Sequence, residues 1–377
     1  MSLPNGWKKI KLGEICNKIG SGSTPKGGRE VYLDAGIPII RSQNVLNGFL
    51  DLNDVAFISD EQHSKMKGTW VHPNDILLNI TGASIGRSCV VPATVKTANV
   101  NQHVCIIRLK ECADACYVCN LILSKDVQKQ IELLSVGGGR QGLNFQQIAS
   151  FSFLLPPLEE QKKIAATLSV WDSAIEKMEK FIDAKENELN IVLRQNLLGK
   201  GIALKWKEIP LTEILKSVTP PSKIHQDSYL NSGKYPIVDQ SKDLIAGWTN
   251  DESSVLKINS PLIIFGDHTC ALKIVHMPFA QGADGIKILS AKDGYDPTYI
   301  YYAIKANPVI PEGYKRHFSA LMLKSILCPS LEEQKKYAVY FKSLDEEISL
   351  LKQQLENYKK QKQGLMQKLL TGQWRVK

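Results

Sequence analysis

The stretch PLEEQKKIA at residues 157–165 returns almost unchanged as SLEEQKKYA at residues 330–338, displaced by 173 positions. Each copy opens a long Pro-free segment of helical periodicity that ends in a Leu-Leu pair, at residues 197–198 and again at 369–370. Each copy also follows a Gly-rich segment with strand-like patterning. An alternation of globular segment and long helix, repeated twice, predicts two heads held apart by helices.

The apolar residues of both helical segments recur at alternating steps of four and three, and the two patterns superpose after a shift of 173. A spacing sustained over about four heptads predicts a coiled-coil seam. Lys185 interrupts the first pattern and Lys362 the second. The predicted seam consists of Leu168, Trp171, Ile175, Met178, Ile182, Leu189, Phe341, Leu344, Ile348, Leu351, Leu355 and Leu365.

A single helix of this kind is also typical of a dimerisation element. Two helices of equal length and phase in one chain favour antiparallel pairing within the molecule, with globules at opposite ends and an approximate twofold axis. Forty helical residues at about 1.5 Å each span roughly 60 Å.

The composition is that of a soluble globular protein, with 43% hydrophobic and 23% charged residues in a chain of 377. No apolar run reaches the roughly 18 residues that span a bilayer, and the N-terminal residues lack the pattern of a signal peptide. We therefore expect a cytoplasmic protein without a membrane partner. The net charge of +9 is compatible with nucleic acid, although it is also common on solvated surfaces.

Three of the eight cysteines, Cys112, Cys116 and Cys119, are spaced closely enough to suggest a metal site. A structural zinc site normally needs four ligands in two paired clusters, which this spacing does not supply. Apolar neighbours instead predict one side of a buried helix, so we expect these thiols to pack in the core and no metal to bind.

The heads also repeat, because WKKIKLGEI at residues 7–15 corresponds to WKEIPLTEI at 206–214. Apolar strands are predicted near residues 75–82 and 261–267, and a late helix in each head at 117–134 and 297–306. The sequence thus predicts an α+β fold with two similar globular domains and an internal pseudo-twofold repeat. The predicted boundaries are head one at 1–156, helix one at 157–199, head two at 200–329, and helix two with a tail at 330–377.

Polar loops of the heads are the predicted contact surface, because Arg, Asn, Gln and His match the donors and acceptors of base edges. Taken singly, each such residue is equally typical of a solvated or capping position. Arg140 follows a glycine run without the Lys-Ser/Thr of a phosphate-binding loop, so we expect it on a phosphate backbone. The candidates are Ser23, Lys26, Arg41, Gln43, Asn44, Arg87, Asn99, Asn101, Gln102, His103, Arg140, Gln141, Asn144, Gln240, Lys242, His268, Thr269, Gln281, Lys315, Arg316 and His317.

Four motifs resemble the specificity subunit of type I restriction–modification systems: LLPPLEEQ at 154–161, LCPSLEEQ at 327–334, QKLLTG at 367–372, and the opening Gly6-Trp7. The resemblance implies two target-recognition domains separated by antiparallel helices, each reading one half of an asymmetric bipartite site in double-stranded DNA. It also implies two methyltransferase subunits and motor–nuclease subunits as partners. S-adenosylmethionine, ATP and magnesium would belong to those partners, and no cofactor is expected in this chain.

The residues point to a chain that is not catalytic, since neither an adenine-flipping Asn/Asp-Pro-Pro-Tyr/Phe segment nor a phosphate loop occurs. One alternative is a coiled-coil scaffold or adaptor whose heads bind protein or RNA. A remoter one is a hydrolase using Asp267 and His268. Finally, residues 374–376 follow the second helix much as residues 202–206 follow the first, which predicts that this tail docks beside the first head.

Overall fold

The computed structural model describes residues 4–25, 31–135, 142–198, 206–283, 285–313 and 315–376. Met1–Lys177 together with Leu355–Lys377 form one compact unit, and Met178–Gln354 form a second. Each unit contains a sheet-rich head and a part of both long helices.

The first head consists of short strands followed by helices, and a long helix follows it in the chain. Its strands are β1 (Lys8–Lys11), β2 (Cys16–Ser21), β3 (Ile37–Ile40), β4 (Ala56–Ile58), β5 (Trp70–Val71), β6 (Ile76–Asn79), β7 (Ser88–Val90), β8 (Ala98–Val100), β9 (Val104–Leu109) and β10 (Ser152–Leu155). Its helices are α1 (Asp60–Lys65), α2 (Ala115–Leu123), α3 (Lys125–Ser135) and α4 (Phe145–Ala149), and the long helix is α5 (Leu158–Leu198).

The second head has the same sequence of strands and also ends at a long helix. Its strands are β11 (Lys207–Pro210), β12 (Leu215–Ser217), β13 (Tyr235–Val238), β14 (Gly247–Thr249), β15 (Val255–Leu256), β16 (Leu262–Gly266), β17 (Leu272–Val275), β18 (Phe279–Gln281), β19 (Ile286–Ala291) and β20 (Ser325–Cys328). Its helices are α6 (Leu211–Ile214), α7 (Pro297–Ala306) and α8 (Phe318–Met322), and α9 (Leu331–Leu370) is the second long helix.

The two heads share one topology. In the first, an antiparallel sheet has the order β2-β9-β6-β7 and a mixed sheet the order β4-β3-β8-β5, with β3 parallel to β8. In the second, the orders are β12-β19-β16-β17 and β14-β13-β18-β15, with β13 parallel to β18. First and last strands of each head also pair, β1 with β10 and β11 with β20. The prediction of an α+β fold with an internal repeat is therefore confirmed.

The central strands follow from their composition. Ile76–Asn79 and Leu262–Gly266 are buried at every position, as expected for strands covered on both faces. Cys105 and Ile107 of β9 pack in the same cluster as Tyr117 and Ile122 of α2. Ile76 and Leu78 of β6 belong to it too, so the predicted apolar strand lies in the core of the first head.

A buried glutamine anchors the start of each long helix. The Gln161 side-chain oxygen accepts a hydrogen bond from the backbone N–H of Asp114 at 2.9 Å, and its nitrogen donates to the carbonyl of Pro156 at 2.9 Å. The Gln334 oxygen likewise accepts from the Asp296 N–H at 2.9 Å, and its nitrogen donates to a proline carbonyl at 2.9 Å. Each amide thus fixes a long helix to the N-terminus of α2 or α7.

The seam prediction agrees with the structure, since all twelve predicted side chains are buried or half-buried. In the first unit the pairing is antiparallel: Leu168 shares a cluster with Leu369, whereas Trp171, three residues later, contacts Tyr358 at 6.1 Å between ring centroids. The two lysine interruptions carry ion pairs. Lys362 bonds to Asp172 on the facing helix, and Lys185 lies 3.3 Å from Glu347 within the second unit.

Two predictions for the first head were wrong in part. The helix expected at 117–134 is split at Ser124, whose backbone is extended and whose hydroxyl donates to the Leu121 carbonyl at 2.6 Å. Cys119 is buried as expected, and burial raises its pKa to about 12. Cys112 and Cys116 are exposed, because they lie on the side of α2 and its preceding turn that faces away from the core.

The C-terminal tail lies against the first head, which confirms that prediction. Gly372 ends α9 with a positive φ of 72°, where glycine is favoured. The chain then turns so that the Arg375 guanidinium binds both carboxylate oxygens of Glu160 at 2.5 and 2.8 Å. The Trp7 indole N–H donates to the same carboxylate at 3.1 Å, and this carboxylate raises the pKa of Arg375.

The substitution Glu160→Gln tests how far this cluster holds the first unit together. We expect it to lower the free energy of unfolding by about 1–2 kcal/mol, because Arg375 and Trp7 lose their shared acceptor charge. The matched control is Glu333→Gln in the second repeat, where the carboxylate only caps Ser330 and the change should stay within about 0.5 kcal/mol. Equal effects in urea unfolding of the full chain would contradict this role.

Candidate nucleic-acid interface

In the first head, the predicted polar loops meet at one edge because several strands end there. The Gly22 N–H, after β2, donates to the Asn101 carbonyl at 3.1 Å, and the Asn101 N–H donates to the Ile40 carbonyl at the end of β3 at 3.0 Å. The Ile80 N–H, after β6, donates to the His103 carbonyl at 3.0 Å. Loops far apart in sequence are thus joined by backbone hydrogen bonds into one surface.

The second head builds the corresponding edge from the equivalent strands. The Gly282 N–H, after β18, donates to the Val238 carbonyl at the end of β13 at 2.9 Å. The Thr269 hydroxyl, after β16, donates to the Gln240 carbonyl at 2.7 Å. The buried Lys273 ammonium donates to the Asp239 carbonyl at 2.8 Å, and burial lowers its pKa. Both heads therefore present loops at the same topological position.

Several predicted residues are exposed or half-exposed at these edges. Arg41 lies 3.7 Å from the Asp54 carboxylate, and the Gln43 amide donates to that carboxylate at 2.7 Å. The Lys315 ammonium is paired with Glu312 at 2.6 Å. The predicted residues that stay accessible are Ser23, Arg41, Gln43, Arg87, Gln102, His103, Gln240, Lys242, His268, Thr269, Lys315 and Arg316.

Five of the residues predicted to contact DNA have side chains that are buried inside the heads: Asn44, Asn99, Asn101, Gln281 and His317. Asn99, fully buried, bonds to the Thr69 hydroxyl at 2.5 Å and to the Met66 carbonyl at 3.3 Å. Asn44 caps the turn that starts at Arg41, and its nitrogen donates to the Asp54 carbonyl at 2.8 Å. The side-chain amides of Asn44 and Asn99 thus form hydrogen bonds with backbone carbonyls inside the head.

His317 is likewise a structural residue. Its Nε2 accepts the Glu312 N–H at 2.9 Å, so the ring proton is on Nδ1, which lies 3.2 Å from the Asp267 carbonyl. Asn144 is exposed but caps α4 by accepting the Gln147 N–H at 2.8 Å. The predicted residues Lys26, Arg140 and Gln141 lie outside the described part of the chain.

Sequence reasoning missed the residues that organise these edges. The Asp267 carboxylate is buried and accepts the backbone N–H groups of His317 at 3.0 Å and Phe318 at 2.9 Å. In the first head, the hydroxyls of Thr24 and Thr81 hydrogen-bond to Gln102 and His103. The available signal was position, since Asp267 directly follows β16 and Thr81 lies two residues after the end of β6.

Within ranges 4–25, 31–135, 142–198, 206–283, 285–313 and 315–376, no group of three or more His, Cys, Asp or Glu side chains could hold a metal ion. Among the same residues, none of the helices combines the length and apolar character needed to cross a membrane.

Comparison with known proteins agrees with the repeat and its motifs. Residues 4–184 match the family model of the type I restriction modification DNA specificity domain. A protein of Methanocaldococcus jannaschii assigned as the type I restriction enzyme MjaX specificity subunit is 25% identical over 419 residues, covering 100% of this chain and 95% of the relative. Over its full length, the chain is thus similar to the specificity subunits of type I restriction–modification systems.

Other specificity subunits give the same result. The MjaVIII specificity subunit of the same organism is 22% identical over 440 residues, covering 100% of this chain and 95% of the relative. The crystal structure of the S subunit from M. genitalium has the same fold, with a TM-score of 0.62 at 17% identity and 98% of each chain covered. These relatives give no support to the scaffold or adaptor alternative.

The structural roles of the buried Asn99 and His317 can be tested by their effect on stability. Asn99→Ala should lower the free energy of unfolding by about 2–3 kcal/mol, because it leaves buried hydrogen-bonding groups without a partner. His317→Ala should act similarly in the second head. Ser23→Ala, at an exposed loop position, is the control and should stay within about 0.5 kcal/mol. Thermal unfolding that shifts no more for Asn99→Ala than for Ser23→Ala would contradict the structural assignment.

Proposed function

We propose that this specificity subunit binds double-stranded DNA and that each head reads one half of an asymmetric bipartite site. One observation carries the proposal: the two heads share one strand topology but present different side chains on their loop edges. Equal scaffolds would place both edges in equivalent grooves of the duplex. Different side chains on those edges would then select different sequences.

The chemistry of the two edges supports unequal half-sites. The first carries accessible amide, hydroxyl and imidazole groups, of which Gln102 and His103 are central, together with the exposed Arg87. The second carries a more cationic set, with Lys242, Lys315 and Arg316 exposed. Amides and guanidinium groups read base edges, whereas ammonium groups fix the register on phosphates without sequence information.

The long helices would set the length of the spacer between half-sites. Helix α5 has 41 residues and α9 has 40, which at about 1.5 Å per residue gives roughly 60 Å for each. Major-groove positions on one face of DNA repeat about every 34 Å, so helices of this length leave room for two half-sites whose centres lie one helical turn apart. Ion pairs on the seam, such as Lys362 with Asp172, would fix the pairing register.

We also propose that this chain is non-catalytic and recruits two methyltransferase subunits, with motor–nuclease subunits joining for cleavage. S-adenosylmethionine, ATP and magnesium would be bound by those partners. Exposed apolar side chains on the long helices support a protein-binding role, since Val170 is 68%, Val339 71% and Leu350 65% exposed. Apolar side chains exposed in this way are available for contact with a partner subunit.

The proposed function is tested by expressing the chain together with its cognate methyltransferase subunit and sequencing the host DNA with detection of modified bases. We expect one asymmetric motif, split by a spacer of fixed length and methylated on adenine. Duplex binding should also weaken steeply with salt, because phosphate contacts release counterions. A stable complex that methylates no motif and binds DNA without sequence preference would contradict the proposal.

A matched deletion tests the spacer role of the helices. Removing residues 180–186 and 347–353 deletes one heptad from each helix and removes both partners of the Lys185–Glu347 and Lys352–Glu186 ion pairs. Each helix loses about 10 Å, so the methylated motif should acquire a spacer about three base pairs shorter. Deleting only residues 180–186 is the control and should abolish methylation by breaking the seam. A double deletion that keeps the original spacer would contradict the idea.

A further inference from the structure

One accessible amide of the first head, that of Gln102, is hydrogen-bonded to Thr24 of a neighbouring loop and to His103 of its own loop. The Thr24 hydroxyl donates to the Gln102 Oε1, and the Gln102 Nε2 lies 3.1 Å from the His103 Nε2. Because an amide nitrogen can only donate, the ring Nε2 must accept, and the ring proton is then on Nδ1. That Nδ1 lies 2.7 Å from the Thr81 hydroxyl. The four side chains form a continuous hydrogen-bonded chain across three loops.

The backbone holds this chain of side chains in place. The His103 N–H donates to the side-chain oxygen of the buried Asn101 at 3.1 Å. Gly22 rests directly on the neighbouring loop, and a Cβ at this position would lie 1.7 Å from the Val100 carbonyl oxygen. Only glycine allows that approach, which brings Thr24 to Gln102. The amide of Gln102 is therefore oriented before any ligand arrives.

Among the residues that the structure describes, the hydrogen bonds of Gln102 use half of its capacity. A primary amide has two N–H donors and two acceptor sites on its oxygen, and the bonds to His103 and Thr24 use one of each. One donor and one acceptor remain on a residue that is exposed. A glutamine offering one donor and one acceptor matches N7 and the N6 amino group of adenine in the major groove.

We propose that Gln102 reads an adenine in the half-site of the first head, with Thr24 and His103 as positioning residues. The inference rests on the proposed function and names a base and a residue within it. An oriented amide has a fixed order of donor and acceptor, and it loses little side-chain entropy on binding. The fixed order favours discrimination between bases, and the smaller entropy loss strengthens binding to the matching base.

Neighbouring amides do not share these properties. The Gln43 amide donates to the Asp54 carboxylate, which places a negative charge beside any DNA phosphate. Asn44 and Asn99 are buried and have their donors engaged within the head. In the second head, the loop after β18 contains Gly282 and Ala283 at its start. The adenine contact is therefore assigned to Gln102 of the first head.

The test uses the full chain in complex with its methyltransferase subunit and a pool of duplexes randomised over both half-sites. The wild-type complex should enrich a bipartite motif with adenine at one position that depends on Gln102. Gln102→Ala should lower the preference for adenine at that position by about 5- to 150-fold and leave the other half-site unchanged. Gln102→Glu should shift the preference there towards cytosine, whose amino group needs an acceptor.

The positioning residues have a matched pair of variants. Thr24→Val keeps the shape but removes the hydroxyl donor, so it should weaken discrimination at the same position, whereas Thr24→Ser should retain it. Gln43→Ala is the control for an exposed glutamine at the same edge and should leave that position unchanged. Melting curves of all variants should coincide with that of the wild type, since these side chains are exposed.

Three results would overturn the inference. A wild-type motif that survives Gln102→Ala removes this inference alone and leaves the proposed function intact. A uniform loss of affinity over all sequences would assign Gln102 to a phosphate contact. A wild-type complex that enriches no sequence would remove the proposed function and this inference together.

Discussion

The structure depends first on the buried glutamine at the start of each long helix. The side chains of Gln161 and Gln334 are 0% and 1% exposed, so every donor and acceptor they carry must be satisfied inside the protein. Each amide binds a proline carbonyl of its own helix start and the backbone N–H of an aspartate that caps α2 or α7. An unsatisfied buried amide costs about 1–3 kcal/mol, which makes any other arrangement of helix and head unfavourable. One residue therefore couples the direction of a long helix to the position of a head.

The helix that each glutamine fixes also positions a buried tyrosine, which bonds to the last strand of its head. The capped helix places Tyr117 and Tyr299, whose hydroxyls donate to the carbonyls of Leu154 and Leu327 at 3.2 and 2.6 Å. Those carbonyls belong to β10 and β20, which pair with β1 and β11 at the beginning of each head. Burial raises the pKa of both tyrosines, as expected for phenols that serve as fixed donors within a core. The strand pairs β1–β10 and β11–β20 are thus fixed in the same way in both heads, whereas the polar loops differ between them.

The sequence predicted the scaffold well and the contact residues poorly, and the reason is physical. Seam residues such as Leu168 and Phe341 repeat with a period that only a helix pair satisfies, and their burial follows directly. The split at Ser124 was missed because a serine is compatible with both helix and cap, and the choice depends on its tertiary neighbours. At the loops, residue type shows what a side chain can bond to but not what it already bonds to. Asn99 and Gln102 are three positions apart and chemically alike. Asn99 is nevertheless buried and hydrogen-bonded inside the head, whereas Gln102 is exposed.

This distinction explains how one scaffold can carry different specificities. In the second head, the buried Asp267 carboxylate holds the backbone of His317 and Phe318, so the adjacent Arg316 is exposed on a loop whose position is fixed by groups beneath it. In the first head, Asn101 and Gly22 give the same kind of support to Gln102. Exchanging an exposed side chain above such a support changes the donors and acceptors offered to a ligand but leaves the buried hydrogen bonds intact. Exchanging a supporting residue would instead cost stability, because its partners are buried. Specificity can therefore vary only through exposed side chains whose donors and acceptors are not already used in hydrogen bonds within the protein.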